Sequence, residues 1–196
     1  QLQISGAAQE LVRERLRSLP EVSLEVLSAA AVIGQNFDLG LLGYLTERPG
    51  HELLEALDGS LANDTIVPSL ERPGAFAFDH ALIREVLYDD LSARRRCELH
   101  ARAGEGLVRR RAGGAEITTA ELARHFLAAL PLTDVAVAVD YARKAAAVAT
   151  GMGAHSDAHA LLMRGLSSLQ FAIEPDPETR TALLLELAIV ERVLSE

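Results

Sequence analysis

From Ala81 onward the apolar residues recur every three or four positions, and only short clusters of glycine or proline interrupt that period. The interruptions fall at Gly113-Gly114, Pro131, Gly151 to Gly153 and Pro175-Asp176-Pro177. The spacing predicts helices over 80–90, 92–111, 117–130, 134–150, 154–171 and 177–195. Links this short make consecutive helices fold back antiparallel. Aromatic residues make up 4% of the chain, tryptophan is absent, and 49% of the residues are hydrophobic. Alanine, leucine and valine must therefore fill the core, which suits closely packed helices better than a sheet sandwich.

The first eighty residues have a different rhythm. Ala8 to Leu19 is a predicted helix with Leu11, Val12, Leu16 and Leu19 on one side. Pro20 ends it and can open the next, Glu21 to Ile33, which Gly34 stops. Asp38 is an N-cap candidate for a short helix to Leu45, and His51 to Leu61 is a further amphipathic helix. Residues 65–70 and 75–78 are short strand candidates, the second with period two, with a turn at Glu71-Arg72-Pro73-Gly74 between them; Pro68 calls for an edge position. A two-stranded hairpin alone is marginal, so it must pack on the helices. The expected fold is therefore mainly α: a winged helix of three helices plus a β-hairpin over 7–91, then a helical arm over 92–196. Within the arm, Ala142, Ala146, Ala158, Leu162 and Gly165 resemble the tetratricopeptide pattern, in which small residues let paired helices approach. Tyr141 sits one position from where that pattern places its aromatic. One clean unit with flanking half-units is visible.

The formal net charge is -9, which gives no general attraction for nucleic acid or an anionic membrane. The single Cys97 excludes an intrachain disulfide and a multi-cysteine zinc site, and a reducing cytoplasm is the expected compartment. No uncharged apolar run reaches membrane-spanning length. Gln1-Leu2-Gln3-Ile4 lacks the basic segment and apolar run of a signal peptide. The missing initiator methionine and the open apolar face of Thr179 to Glu196 lead us to expect a piece of a larger protein.

The most specific segment is Phe76-Ala77-Phe78-Asp79-His80-Ala81-Leu82-Ile83-Arg84-Glu85-Val86-Leu87-Tyr88, followed by Arg94-Arg95-Arg96-Cys97-Glu98-Leu99-His100. Leu19-Pro20, Ala29 to Gly34, Phe37-Asp38, Glu121 to Phe126 and Tyr141 to Ala146 accompany it in order. Together they resemble the region after the nucleotide-binding core of bacterial STAND-class regulators. That class includes the large ATP-binding LuxR-type transcription factors and related multidomain adenylate cyclases. The resemblance implies a winged helix that packs on an ATPase core and holds it off. It implies ATP or ADP in the parent protein but no cofactor in this segment. DNA binding would belong to a separate C-terminal output domain, and the arm would receive a protein or small-molecule inducer. By pattern, His80 falls where a histidine can contact the nucleotide β-phosphate, and a helix N-terminus attracts phosphate. The alternatives are that His80 caps the helix or packs under the wing. Asp79 beside it would repel phosphate unless it serves as the N-cap. Arg84, Arg94, Arg95 and Arg96 are candidates for interdomain contacts, against a solvated face with salt bridges to Glu98 and Glu105.

The sequence contains no G-x-x-x-x-G-K-[ST], so ATP hydrolysis and tight nucleotide binding are not expected of this segment. The recognition-helix position, about 51–64, carries Glu52, Glu55, Asp58 and Asp64 with no lysine or arginine, which speaks against direct DNA binding. His155 and His159 share a helix face but lack a third ligand, so no metal is expected. His100 and His125 are expected in the core or at an interface. Cys97 has His100 three residues on, yet no nucleophile elbow or orienting acid accompanies it, so a buried structural cysteine is expected. No catalytic residue is assigned. The expected function is a non-catalytic relay of nucleotide or inducer state between domains. A plain protein–protein scaffold, or the same module in an adenylate cyclase, remains the alternative.

Overall fold

The segment Val26 to Ile33 is apolar almost without interruption, and a helix that is apolar all round must be central. In the computed structural model it is: Val26, Leu27 and Ala29 to Ile33 are all buried. The structure describes residues 6–174 and 176–195. Gln1 to Ile4, and the Pro175 of the last expected break, lie outside these residues. The helices are α1 (Gly6–Arg17), α2 (Glu21–Ile33), α3 (Leu39–Thr46), α4 (Gly50–Ala62), α5 (Ala81–Asp89), α6 (Ala93–Ala112), α7 (Thr119–Ala128), α8 (Val135–Gly151), α9 (His155–Ser168) and α10 (Pro177–Leu194). The strands are β1 (Asn36–Asp38), β2 (Ile66–Pro68) and β3 (Ala75–Phe78). The fold is mainly α, with a small antiparallel sheet early and helices packed in pairs later. The chain divides into two compact units, one up to Gly106 and one from Leu107, so the division lies inside α6. The sequence reading began the arm at residue 92.

In the first unit, α2 packs against α3, α4 and α5. Gly34 closes α2, its N–H donating to the Ala30 carbonyl. Asp38 caps α3 by accepting from the Leu41 N–H at 3.0 Å. The sheet order is β1-β3-β2, with Phe37 opposite Phe76 and Ile66 opposite Phe78. The expected two-stranded hairpin is thus a three-stranded sheet. β1 is three residues long, too short to show a period of two, and its last residue doubles as the α3 cap. Pro68 lies on an edge strand, as its missing N–H requires. β1 carries the Phe37 ring to within 5.8 Å of Phe76 and 5.4 Å of Phe78 on β3, centroid to centroid. All three rings are buried. The opening of α6 belongs to this unit: Leu99, His100 and Ala103 are buried, and Arg102 donates to the Tyr44 carbonyl at 2.8 Å and to Glu47 at 2.7 Å.

In the second unit, α7 packs on α8, α8 on α9 and α9 on α10. Thr118, Asp134 and Asp176 cap α7, α8 and α10. The core includes Val139, Ala146, Ala158, Leu162, Leu169, Leu183, Leu187 and Val190. A Cβ on Gly165 would stand 3.4 Å from Leu183 and 3.5 Å from Ala142, so the small residues do bring three helices together. The Tyr141 ring stacks on Phe126 at 5.1 Å and 7°, which joins α8 to α7 despite its one-position offset.

Candidate functional site

The junction of β3 and α5 places His80. Phe78 is buried at the end of the strand, and the Asp79 N–H donates to the Thr65 carbonyl at 3.2 Å, so the chain leaves the sheet in a fixed direction. His80 then takes the N-cap position of α5 in an extended conformation, and its side chain makes no capping hydrogen bond. The imidazole is 74% exposed and its Nε2 lies 3.2 Å from an Asp79 oxygen. Asp79 therefore faces the histidine instead of capping the helix, and His80 does not pack under the wing. A phosphate arriving here would meet the free N–H groups of the helix start but would compete with Asp79 for the ring.

One turn into α5, Arg84 donates from Nε to the Ala31 carbonyl at 3.2 Å and so closes the C-terminal end of α2. Its guanidinium also lies 5.8 Å from the Tyr88 ring centroid, and that of Arg96 lies 5.4 Å from it. The Tyr88 hydroxyl is 2.9 Å from Nε2 of the buried His100. Arg84, Tyr88, Arg96 and His100 thus form one cluster between α5 and α6. Sequence analysis singled out three of these residues separately but did not place Tyr88 among them. The available signal was the four-residue spacing of 84 to 88 and of 96 to 100, which puts each pair on one helix face.

Arg94 and Arg95 both reach Glu98, at 2.7 and 3.5 Å. The hydrogen bond from Arg94 holds the Glu98 carboxyl below its ordinary range, and the same bond raises the Arg94 guanidinium. Arg94 is 87% exposed, so this pair adds little to stability. Glu105 accepts from the Tyr44 hydroxyl at 3.4 Å. Cys97, expected to be buried, is only partly so, because the α6 face that carries it is incompletely covered. His125 is buried next to Arg124, whose Nη2 is 2.6 Å from its Nε2. His155 and His159 share the start of α9, and His159 faces Glu191 at 3.3 Å. On α4, Glu52, Glu55 and Asp58 are exposed, so the recognition-helix position presents an acidic face. No helix among the described residues is long and apolar enough to cross a membrane.

Over 122 residues, 61% of this chain, the sequence is 31% identical to an uncharacterized protein of Rhizobium meliloti (strain 1021). The chain spans only 12% of that relative's length. No protein-family profile matches the chain, and no solved structure matches it.

Proposed function

We propose that this segment is a non-catalytic relay element of a larger bacterial STAND-type, ATP-binding transcriptional regulator of the large LuxR type. Its winged helix would rest on the parent's ATPase core, and its helical arm would receive a protein or small-molecule inducer and pass the change toward an output domain. The observation that carries this reading is His80. An imidazole that makes no cap for its own helix and is 74% exposed beside Asp79 at the start of α5 can meet a group presented by another domain. The motif around it resembles that class, and the relative in Rhizobium meliloti is a far longer protein than the stretch it shares. The acidic α4 argues against DNA as the partner of this winged helix, since phosphates repel an acidic helix in the groove. ATP or ADP belongs to the parent, and the cytoplasm is the proposed compartment.

A relay works only if a ligand favours one arrangement of core and lid over the other. The test is ADP affinity, by calorimetry, of the full-length polypeptide that carries this segment, with and without His80→Ala. We expect about tenfold weaker ADP binding, roughly 1.4 kcal/mol, with the fold intact. Equal affinity in the two proteins, or a full-length chain that binds no nucleotide, would sink the reading and favour a plain protein–protein scaffold.

A further inference from the structure

A pocket of about 360 Å³ opens at one end of the second unit, where the starts of α8 and α10 meet the chain that leaves α9. Its floor is Val139 and Leu169, both buried. At its mouth stand two large apolar side chains, Phe171, 47% exposed, and Ile173, fully exposed. Asp134, Glu174 and Asp176 complete the lining with Thr133 and Thr179, and no lysine, arginine or histidine is among the lining residues.

Two of the three carboxylates in this lining are helix caps. Asp134 accepts from the Ala136 N–H at 2.8 Å. Asp176 accepts from the Thr179 hydroxyl at 2.7 Å and from the Glu178 and Thr179 N–H groups, and these bonds, the hydroxyl first, hold its carboxyl below the ordinary range. Each of the two helix starts contributes roughly half a positive charge. That offsets the capping carboxylates only in part, and Glu174 adds a further acidic group, so the rim is negative. An anion is repelled there, and a neutral apolar molecule gains only the floor. A cation with an apolar body gains both. The volume lies at the lower end of the range for small-molecule sites, roughly 300–1,000 Å³, and is too small for a docked helix.

We propose that this pocket binds a small organic cation, an ammonium or amidinium head on an aryl or branched alkyl body, with the head among Asp134, Glu174 and Asp176 and the body over Val139 and Leu169. This inference goes beyond the relay reading and does not rest on it. A failed nucleotide test at His80 leaves it standing, and its own failure leaves the nucleotide test untouched.

The test is a nuclear magnetic resonance titration of the 196-residue chain with 2-phenylethylammonium, beside 2-phenylethanol and 3-phenylpropionate as neutral and anionic counterparts of similar size. We expect saturable shifts at Val139, Leu169 and Thr179, with the cation bound tighter than the alcohol and the anion weakest. Asparagine also caps helices, so Asp134→Asn with Asp176→Asn keeps both caps and removes both charges. That double variant is expected to bind the cation about tenfold more weakly. Glu174→Gln, which touches no cap, is expected to weaken it about threefold and carries the test if the double variant loses its fold. Equal binding of the three probes, shifts that map elsewhere, or unchanged affinity in the folded variants would overturn the proposal.

Discussion

Tyr88 is the residue on which the α5–α6 junction turns. Two guanidiniums lie over its ring, and its hydroxyl meets a buried imidazole. Tyr88→Phe keeps the ring and loses the hydrogen bond to His100, so it should cost about 1 kcal/mol in urea denaturation. Tyr88→Ala also removes the ring that Arg84 and Arg96 contact and should cost about 3 kcal/mol. Equal losses in the two variants would put the whole effect in the hydroxyl and refute the stacking role. The sequence reading expected His100 in the core or at an interface, and it is buried. That reading could not supply Tyr88 as its partner. Helical spacing shows which residues share a face, but which face meets which depends on the angle between two helices. The same limit applied to His80: its place at the start of a helix could be read from the motif, while the orientation of Asp79 toward it could not.

At the scale of elements, two helical glycines separate intrinsic propensity from packing. Gly59 in α4 would place a Cβ 3.6 Å from Leu19, an ordinary contact. Gly59→Ala should therefore raise stability by about 0.5–1 kcal/mol through the reduced freedom of the unfolded chain. Gly106 in α6 would place a Cβ 2.8 Å from both Leu41 and Tyr44. Overpacking typically costs about 1–3 kcal/mol, so Gly106→Ala should be destabilising despite alanine's better propensity. Thermal midpoints of the two variants should move in opposite directions, and a rise in both would mean that α3 yields to the added methyl. The helices themselves were legible because long apolar periods survive context. β1 was not, since three residues show no period and its pairing with β3 is set by atoms forty positions away. Cys97 was placed too deep for a related reason, because a period gives the direction of a face and not the extent of its cover.

For the whole molecule the relevant quantity is charge. The chain carries 28 acidic against 19 basic side chains, so acid should relieve general repulsion while breaking particular carboxylate bonds. Among the described residues, Glu98 and Asp176 are carboxyls whose folded state clearly favours ionisation, the first through Arg94 and the second through Thr179. A folded value depressed below the unfolded one gives stability that is complete above the ordinary value and lost as pH falls through the folded value. The window therefore opens near the ordinary values of 4.5 for Glu98 and 3.8 for Asp176 and extends below them. Asp176 is exposed and Glu98 partly so, so the effect is a slope and not a collapse. Glu98→Gln with Asp176→Asn removes both titrations while the asparagine keeps the α10 cap. In urea denaturation the double variant should start below the wild type at neutral pH, fall less steeply through the acid window, and meet the wild-type curve at its bottom. Two parallel curves would show that neither carboxylate is linked to folding and that the acid response comes from the net charge alone.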